Sequence, residues 1–204
     1  MVDIENLTPS NISKNLNANL NGSSAIVDFP KELLEGSPRK ASVLIPLQHK
    51  EDGWHVLFIR RTSIPGDFHS GQVAFPGGSE DPEDKNPIDT ALRETCEEIG
   101  IEKENIEVLG EMNKFLTISN FLVTPIVGII PWPAKFIPSE DEVDRIFTIP
   151  LSWLFDKNNQ EKKDRKLPNG IKLSVTYFEE YDGEVLWGAS AKILEVFMEV
   201  INIF

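Results

Sequence analysis

The chain is poor in cysteine and in positive charge, and it has no long apolar run. Its one cysteine, Cys96, excludes an internal disulfide. Its 20 Lys and Arg residues are outnumbered by 33 Asp and Glu residues, and the formal net charge of −13 argues against unspecific binding to nucleic acid or to an anionic membrane. No apolar run reaches the roughly 18 residues of a membrane span. An anionic ligand would therefore need local cations, either a few Arg and Lys side chains or bound metal.

The overall composition predicts an ordinary globular protein. Of its 204 residues 40% are hydrophobic and 26% are charged, enough for one domain with a terminal extension. Residues 1–38 are polar, and we expect an extension there with a helix around Ser13–Leu20 and a helical turn at Pro30–Gly36. Residues 39–204 are the predicted domain. Because a basic start followed by an apolar stretch is missing, we expect a cytoplasmic protein.

A helix is predicted between residues 86 and 100. Asn86 suits its N-cap, Pro87 suits the first turn, and Asp89 stands where a capping-box acid would. Gly100 can end the helix in the left-handed conformation. At about 100° per residue, one side of the helix carries the residues expected to be buried, namely Ile88, Leu92, Thr95, Cys96 and Ile99. The position of Cys96 on this side favours packing over chemistry.

The opposite side of this helix carries Glu94, Glu97 and Glu98. Like charges at this spacing repel, and the C-terminal end of a helix prefers cations, so the cluster is electrostatically unfavourable. Arg93 offsets only part of it. A solvated charged face is the simplest interpretation. The Gly77-Gly78 turn upstream, the clustering and the neighbouring Arg93 favour instead a hard divalent cation bound by carboxylate oxygens.

These residues resemble the Nudix box of the Nudix hydrolases, which cleave nucleoside diphosphates linked to another moiety and use Mg²⁺ or Mn²⁺. The matching residues are Phe75-Pro76-Gly77-Gly78 and Arg93-Glu94-x-x-Glu97-Glu98-x-Gly100-Ile101. Asp84 stands six residues after Gly78, where the general box has Glu, and Arg93 comes one position late. The box loop thus carries one extra residue, as in the coenzyme A pyrophosphatase branch. The resemblance implies an α/β/α sandwich with a mixed β-sheet and the box helix packed against it.

The resemblance also implies roles for the box residues. Glu94 and Glu98 would bind the metal directly, with Glu97 as an additional ligand, and Arg93 would orient Glu94. Backbone carbonyls of Gly77 or Gly78 would assist. The general base stays open: Glu97 and Glu142 are the candidate side chains, and water activated by the metal alone is the third alternative.

Three further segments resemble the coenzyme A branch. The first is Arg61-Thr62 with His69-x-Gly71, which leads into Phe75-Pro76-Gly77-Gly78. The other two are Ser139-x-x-Glu142-Val143 with Phe147-x-x-Pro150-Leu151, and Trp187-Gly188-x-Ser190-Ala191. The interval from Arg61 to His69 is one residue longer than in the branch. Gly66-Asp67-Phe68 stands where the branch has a basic residue.

Several side chains keep two interpretations. Arg60 and Arg61 end a predicted strand, where they would either contact phosphate or be a solvated strand end. His69 is either a ligand or substrate contact, or a hydrogen-bond partner that orders its loop. Glu142 is either the capping-box partner of Ser139 on a short helix or a residue near the metal.

The other predicted elements follow from apolar runs and turn residues. We expect strands at Ala41–Leu47, Trp54–Arg60, Ile106–Gly110, Phe121–Ile130 and Ile171–Phe178, a helix after Leu186 with apolar Ile193, Leu194, Phe197, Met198 and Ile201, and a solvated loop at Asp156–Gly170. His49 and His55 are expected at the surface.

The expected reaction is hydrolysis of a phosphoanhydride in a nucleotide-type small molecule. Coenzyme A or an acyl-coenzyme A would give 3′,5′-ADP and 4′-phosphopantetheine or its acyl form. The alternatives are a Nudix pyrophosphatase for ADP-ribose or nucleotides, and a non-enzymatic Nudix domain that senses or binds a ligand. Three clustered carboxylates favour an enzyme. No nucleic-acid or membrane partner is expected, and the oligomeric state stays open, a homodimer included.

Overall fold

The computed structural model describes residues 4–20, 26–27, 29–30, 34, 36–63, 70–166 and 172–201. His69 and most of the helical turn expected between residues 30 and 36 lie outside them. Within the described part of the chain, no helix is long and apolar enough to cross a membrane.

A mixed sheet of eight strands forms the centre of the structure. The path runs β3-β2-β1-β7-β5, with β4 on β1, β6 on β7 and β8 on β2. The β1–β7 pair is parallel and the other pairs are antiparallel, which confirms the expected mixed sheet. The strands are β1 (Arg39–Lys50), β2 (Gly53–Arg61), β3 (Val73–Ala74), β4 (Gly77–Ser79), β5 (Glu107–Glu111), β6 (Phe115–Leu116), β7 (Phe121–Ile129) and β8 (Val143–Pro150).

Helices cover both faces of this sheet. Along β1, Leu44 belongs to one buried cluster and Ile45 to the other, since successive side chains of a strand point to opposite faces. The Leu44 cluster includes Ala91 and Ile99 of the predicted box helix. The Ile45 cluster includes side chains of the first and last helices, which confirms the helix–sheet–helix sandwich. The helices are α1 (Pro9–Asn19), α2 (Pro87–Ile99), α3 (Leu151–Phe155) and α4 (Gly188–Ile201).

Helix α1 confirms the helix expected in the polar N-terminal segment, although it begins four residues earlier. Ile12 and Leu16 of this helix are 0% and 2% exposed and belong to the core. The indole N–H of Trp54 donates to the carbonyl of Leu7 at 3.0 Å. Because only a narrow stripe of α1 is apolar, the sequence of the segment gives little sign of this packing.

Helix α2 has the predicted ends. The Asn86 side chain accepts two backbone N–H groups of the first turn, and Gly100 has φ 70°. The burial of its faces differs from the helical pattern at two residues. Cys96 is only half-buried, and its thiol lies 3.7 Å from a carboxylate oxygen of Glu102. Glu98 is 2% exposed, not on a solvated face, because other segments pack over the C-terminal end of the helix.

Two assignments after residue 138 also need correction. Ser139 begins a turn, not a short helix: its carbonyl accepts the N–H of Glu142 at 3.1 Å, and β8 follows at once. The expected loop at Asp156–Gly170 contains β9 (Gln160–Lys166), which pairs with β10 (Lys172–Phe178) in a two-stranded sheet. The strongly polar β9 lacks the apolar pattern that marks a strand, and its pairing with β10 defines it.

The last helix is confirmed, and its five apolar residues are all buried. The two histidines differ. His49 is exposed as expected, whereas His55 is 6% exposed, with Nε2 2.9 Å from Oδ1 of Asp52. His55 lies on a strand buried on both faces, so the surface prediction for it is wrong.

The packing of α1 predicts that this helix contributes to the stability of the domain. Ile12→Ala should lower the free energy of unfolding by roughly 2–4 kcal/mol, since a fully buried side chain is truncated. Lys14→Ala, on the exposed side of the same helix, should change it by less than about 0.5 kcal/mol. Urea unfolding followed by tryptophan fluorescence measures both. If Ile12→Ala changed the free energy of unfolding as little as Lys14→Ala does, α1 would not be part of the cooperatively folded unit.

Candidate active site

Two glycines bring strand β4 into contact with helix α2. The N–H of Gly77 donates to Oε2 of Glu98 at 2.9 Å. A Cβ on Gly78 would lie 2.5 Å from the carboxyl carbon of Glu94. Gly77 has φ +150°, and a Cβ there would lie 2.4 Å from the carbonyl oxygen of Ser42. The missing side chains allow the backbone of β4 to touch both carboxylates.

Arg93 is the centre of an ion-pair network. Its guanidinium binds Asp84 through Nε–Oδ1 and Nη2–Oδ2 contacts, both 3.0 Å. Nη1 donates to Glu94 at 2.9 Å and to Glu97 at 3.1 Å, and Nη2 also donates to the carbonyl of Ser79 at 3.1 Å. The hydrogen bonds from Arg93 lower the pKa of Asp84 to about 2. The box loop and the helix are thereby fixed to each other.

Glu98 is a buried carboxylate with little compensating charge. Burial raises its pKa to about 8, opposed by the Gly77 N–H and by Arg61, while the charges of Glu94 and Glu142 raise it further. Nη1 of Arg61 lies 3.7 Å from Oε1 of Glu98. Burial also raises the pKa of Glu94, against the opposing effect of Arg93. Negative charge is concentrated here in a poorly solvated place.

Glu142 reaches this cluster through a segment that joins β2 to the end of α2. The N–H of Ser139 donates to the carbonyl of Glu98 at 2.9 Å, and the N–H of Thr62 donates to the carbonyl of Glu142 at 2.9 Å. Glu142 itself is exposed. Its charge raises the pKa of both Glu94 and Glu98, so Glu142 lies within electrostatic range of the box carboxylates.

Arg60 does not join the cluster. Its Nε donates to Asp144 at 2.8 Å and its Nη1 to Glu184 at 3.0 Å, and Arg145 shares Glu184 at 3.0 Å. Neighbouring side chains of a strand leave opposite faces, and a register irregularity separates Arg60 from Arg61. Only one of the two expected phosphate contacts therefore lies beside the box carboxylates.

The structure thus brings together most of the predicted site. The residues in contact are Arg61, Gly77, Gly78, Arg93, Glu94, Glu97 and Glu98. The charge of Glu142 acts on this group from nearby. Sequence reasoning noted Asp84 only as a feature of the longer loop and missed it as the main partner of Arg93. The signal available in the sequence was an acidic residue in the box loop, followed along the chain by an arginine and then by three acidic residues.

The donors of this cluster fit a hard divalent cation, because they are carboxylate oxygens carrying excess negative charge. Among the described residues, no three His, Cys, Asp or Glu side chains are close enough as arranged to hold an ion. Glu94 and Glu97 both bind Nη1 of Arg93. Arg93 holds one oxygen of each carboxylate, so an ion bound by all three glutamates requires these side chains to move closer together, with their second oxygens toward the ion.

Known proteins are similar to this chain in sequence and in fold. Residues 38–169 match the NUDIX domain. A protein of Pectobacterium atrosepticum named uncharacterized Nudix hydrolase NudL is 37% identical over 156 residues, 76% of this chain and 79% of its own. The protein of the same name from Photorhabdus laumondii is 34% identical over 174 residues, 85% of this chain and 91% of its own.

The similarity extends to a solved structure. A MutT/nudix family protein from Enterococcus faecalis superposes with a TM-score of 0.51 at 18% identity, covering 85% of this chain and 62% of that one. At this identity the structural similarity shows the fold alone. The family assignment rests on the domain match and on the two relatives. The chain belongs to the Nudix hydrolase family.

Proposed function

We propose that the chain hydrolyses the diphosphate of coenzyme A or an acyl-coenzyme A, giving 3′,5′-ADP and 4′-phosphopantetheine or its acyl form. One observation carries this proposal: two segments that resemble the coenzyme A branch meet at Glu98. Gly77 and Arg61 of the first segment contact its carboxylate, and Ser139 of the second binds its backbone carbonyl. As a Nudix hydrolase, the chain acts on a nucleoside-diphosphate-linked substrate.

Glu94, Glu97 and Glu98 would hold Mg²⁺ or Mn²⁺. Bound there, the metal would neutralise the diphosphate and lower the pKa of the attacking water. The chain's own residues prepare this arrangement. Arg93 fixes Glu94, and the Gly77 N–H fixes one oxygen of Glu98. The side chain of Arg61 is 34% exposed, so its guanidinium is available to a phosphate oxygen.

Glu142 is the better candidate for the general base. Glu97 is held by Arg93 at 3.1 Å, whereas the exposed carboxylate of Glu142 has no ion-pair partner among the described residues. In the proposed step Glu142 takes a proton from water, the water oxygen attacks a phosphorus of the diphosphate, and the bridging P–O bond breaks. The released phosphate carries away the electron pair of that bond.

A second substrate class has one observation in its favour. Arg60, one of the two candidate phosphate contacts, is bound by Asp144 and Glu184, which leaves one cation fewer for the 3′-phosphate of coenzyme A. The binding of substrates without that phosphate, such as ADP-ribose, does not depend on Arg60 and is unaffected by these ion pairs. The non-enzymatic alternative has no such support, since a binding module does not need three clustered carboxylates.

The first test concerns the box carboxylates. Glu98→Gln keeps the size of the side chain but removes its charge, so kcat should fall by at least roughly 10²–10³. Glu104→Gln, an exposed residue just after the helix, is the control and should keep wild-type kcat. Steady-state kinetics with saturating Mg²⁺ or Mn²⁺ measures both. A fully active Glu98→Gln protein would remove Glu98 from the active site.

The second test concerns the substrate. Coenzyme A and acetyl-coenzyme A should be hydrolysed with kcat/KM at least about tenfold above that of ADP-ribose or ATP, if the coenzyme A moiety is bound in the transition state. Mass spectrometry should detect 3′,5′-ADP as a product. The Glu98→Gln protein, purified in parallel, excludes a contaminating hydrolase. Faster hydrolysis of ADP-ribose would leave the Nudix chemistry intact and refute the coenzyme A assignment.

A further inference from the structure

Strand β8 carries one residue more than β2 where the two strands approach the box carboxylates. Arg60 faces Arg145 across the pair, whereas Arg61 faces Val143, so Asp144 is the extra residue between them. An extra residue in one strand of an antiparallel pair is a β-bulge, which changes the direction of the side chains that follow it. This bulge lies at the start of β8, next to the segment that reaches the end of α2.

The bulge puts Val143 on the face of the sheet that the box helix covers. Ile146 packs against the buried cluster that includes Ala91 and Ile99 of α2. By strict alternation, Val143 would lie on the opposite face, because it comes three residues before Ile146. Val143 instead belongs to that same cluster and is 4% exposed. Without the extra residue, Asp144 would stand on this face and bring a carboxylate into the apolar cluster.

The same register places Glu142 near the box carboxylates. The carbonyl of Glu142 accepts the Thr62 N–H at 2.9 Å, and the Val143 N–H donates to the carbonyl of Ser139 at 2.8 Å. Ser139 is in turn bound to the backbone carbonyl of Glu98. These bonds fix the turn between β2 and the C-terminal end of α2. A shift of β8 by one residue would exchange these partners and move the Glu142 side chain.

An ion pair on the other face of the sheet fixes the bulge. Nε and Nη2 of Arg60 both donate to Oδ2 of Asp144. Nη1 of Arg60 is bound to Glu184, whose side chain is 5% exposed and also binds Arg145 at 3.0 Å. Arg60 is therefore fixed by a buried partner, and Arg60 fixes Asp144. The side chain of Asp144 is 50% exposed, so its burial does not require this contact.

We propose that Asp144 is a positioning residue for Glu142. Bound by Arg60, the Asp144 carboxylate fixes the bulge, and the bulge directs Glu142 to the box carboxylates. The proposal rests on the proposed function in one respect, that Glu142 is the general base. It gives Arg60 a role at the site that needs no phosphate ligand.

A double-mutant cycle tests whether Asp144 acts through Glu142. The substrate is whichever of coenzyme A, acetyl-coenzyme A, ADP-ribose and ATP the wild type hydrolyses fastest. Asp144→Ala should lower kcat roughly tenfold, because a displaced general base is less effective, and should change KM less than about twofold. In Glu142→Gln, whose own kcat should be roughly 10² below that of the wild type, adding Asp144→Ala should change kcat less than about twofold. Equal losses in both backgrounds would overturn the proposal.

Two single variants separate the position of the bulge from other effects. Asp144→Asn keeps an oxygen that can accept from Arg60 and should retain at least about a third of the wild-type kcat. A loss as large as in Asp144→Ala would show that the charge matters rather than the geometry, against the proposal.

The matched control is Asp182→Gly. It removes the other exposed carboxylate of this network, which pairs with Arg145. Glycine adopts the φ of 51° at this position without strain. The variant should keep the wild-type kcat, and a tenfold loss there would assign the effect to the whole network and contradict a specific role of Asp144.

Amide hydrogen exchange, measured by NMR, gives a readout without catalysis. The Thr62 N–H, which donates to the Glu142 carbonyl, should exchange at least about fivefold faster in Asp144→Ala and at the wild-type rate in Asp182→Gly. Unchanged protection of Thr62 in Asp144→Ala would overturn the proposal. Should Glu142→Gln keep the wild-type kcat, the general base of the proposed function fails, while the exchange of Thr62 still decides whether Asp144 fixes this register.

Discussion

A carboxylate buried against the backbone of a strand is the constraint on which the site depends. Glu98 is 2% exposed, and burying an ionised group is costly unless it is paired. The Gly77 N–H at 2.9 Å and Arg61 at 3.7 Å offset only part of that cost. The contact forms because β4 has glycines where any side chain would collide with Ser42 or Glu94. Glu98 thereby fixes the relative positions of β4, β2 and α2.

Arg93 partly neutralises the other carboxylates of the site. It binds Asp84 with two contacts of 3.0 Å and shares one nitrogen between Glu94 and Glu97. A divalent cation at the same carboxylates would compete with that shared nitrogen, while Asp84 would still hold Arg93 in place. Asp84 of the box loop therefore gives the arginine an anchor that does not depend on the metal.

Local signals allowed the helix ends and most strands to be predicted. The side chain of Asn86 and the left-handed Gly100 act within one turn of α2, so the sequence alone reveals them. The burial of Glu98 could not be predicted from helical periodicity, because the covering groups come from Gly77 and Ser139. The different surroundings of Arg60 and Arg61 depend in the same way on strand pairing, to which a pair of adjacent arginines gives no clue.

Thermal unfolding with and without metal tests the central claim, that a cation compensates the charge around Glu98. A ligand that binds only the folded state raises the melting temperature. Wild-type protein should melt at a higher temperature in millimolar Mg²⁺ or Mn²⁺ than in EDTA, and Glu98→Gln should show a much smaller difference. Without metal, Glu98→Gln should melt at the same temperature as the wild type or higher, since a neutral amide replaces a carboxyl group whose ionised form is disfavoured by burial. An equal metal-induced rise in both proteins would contradict the account.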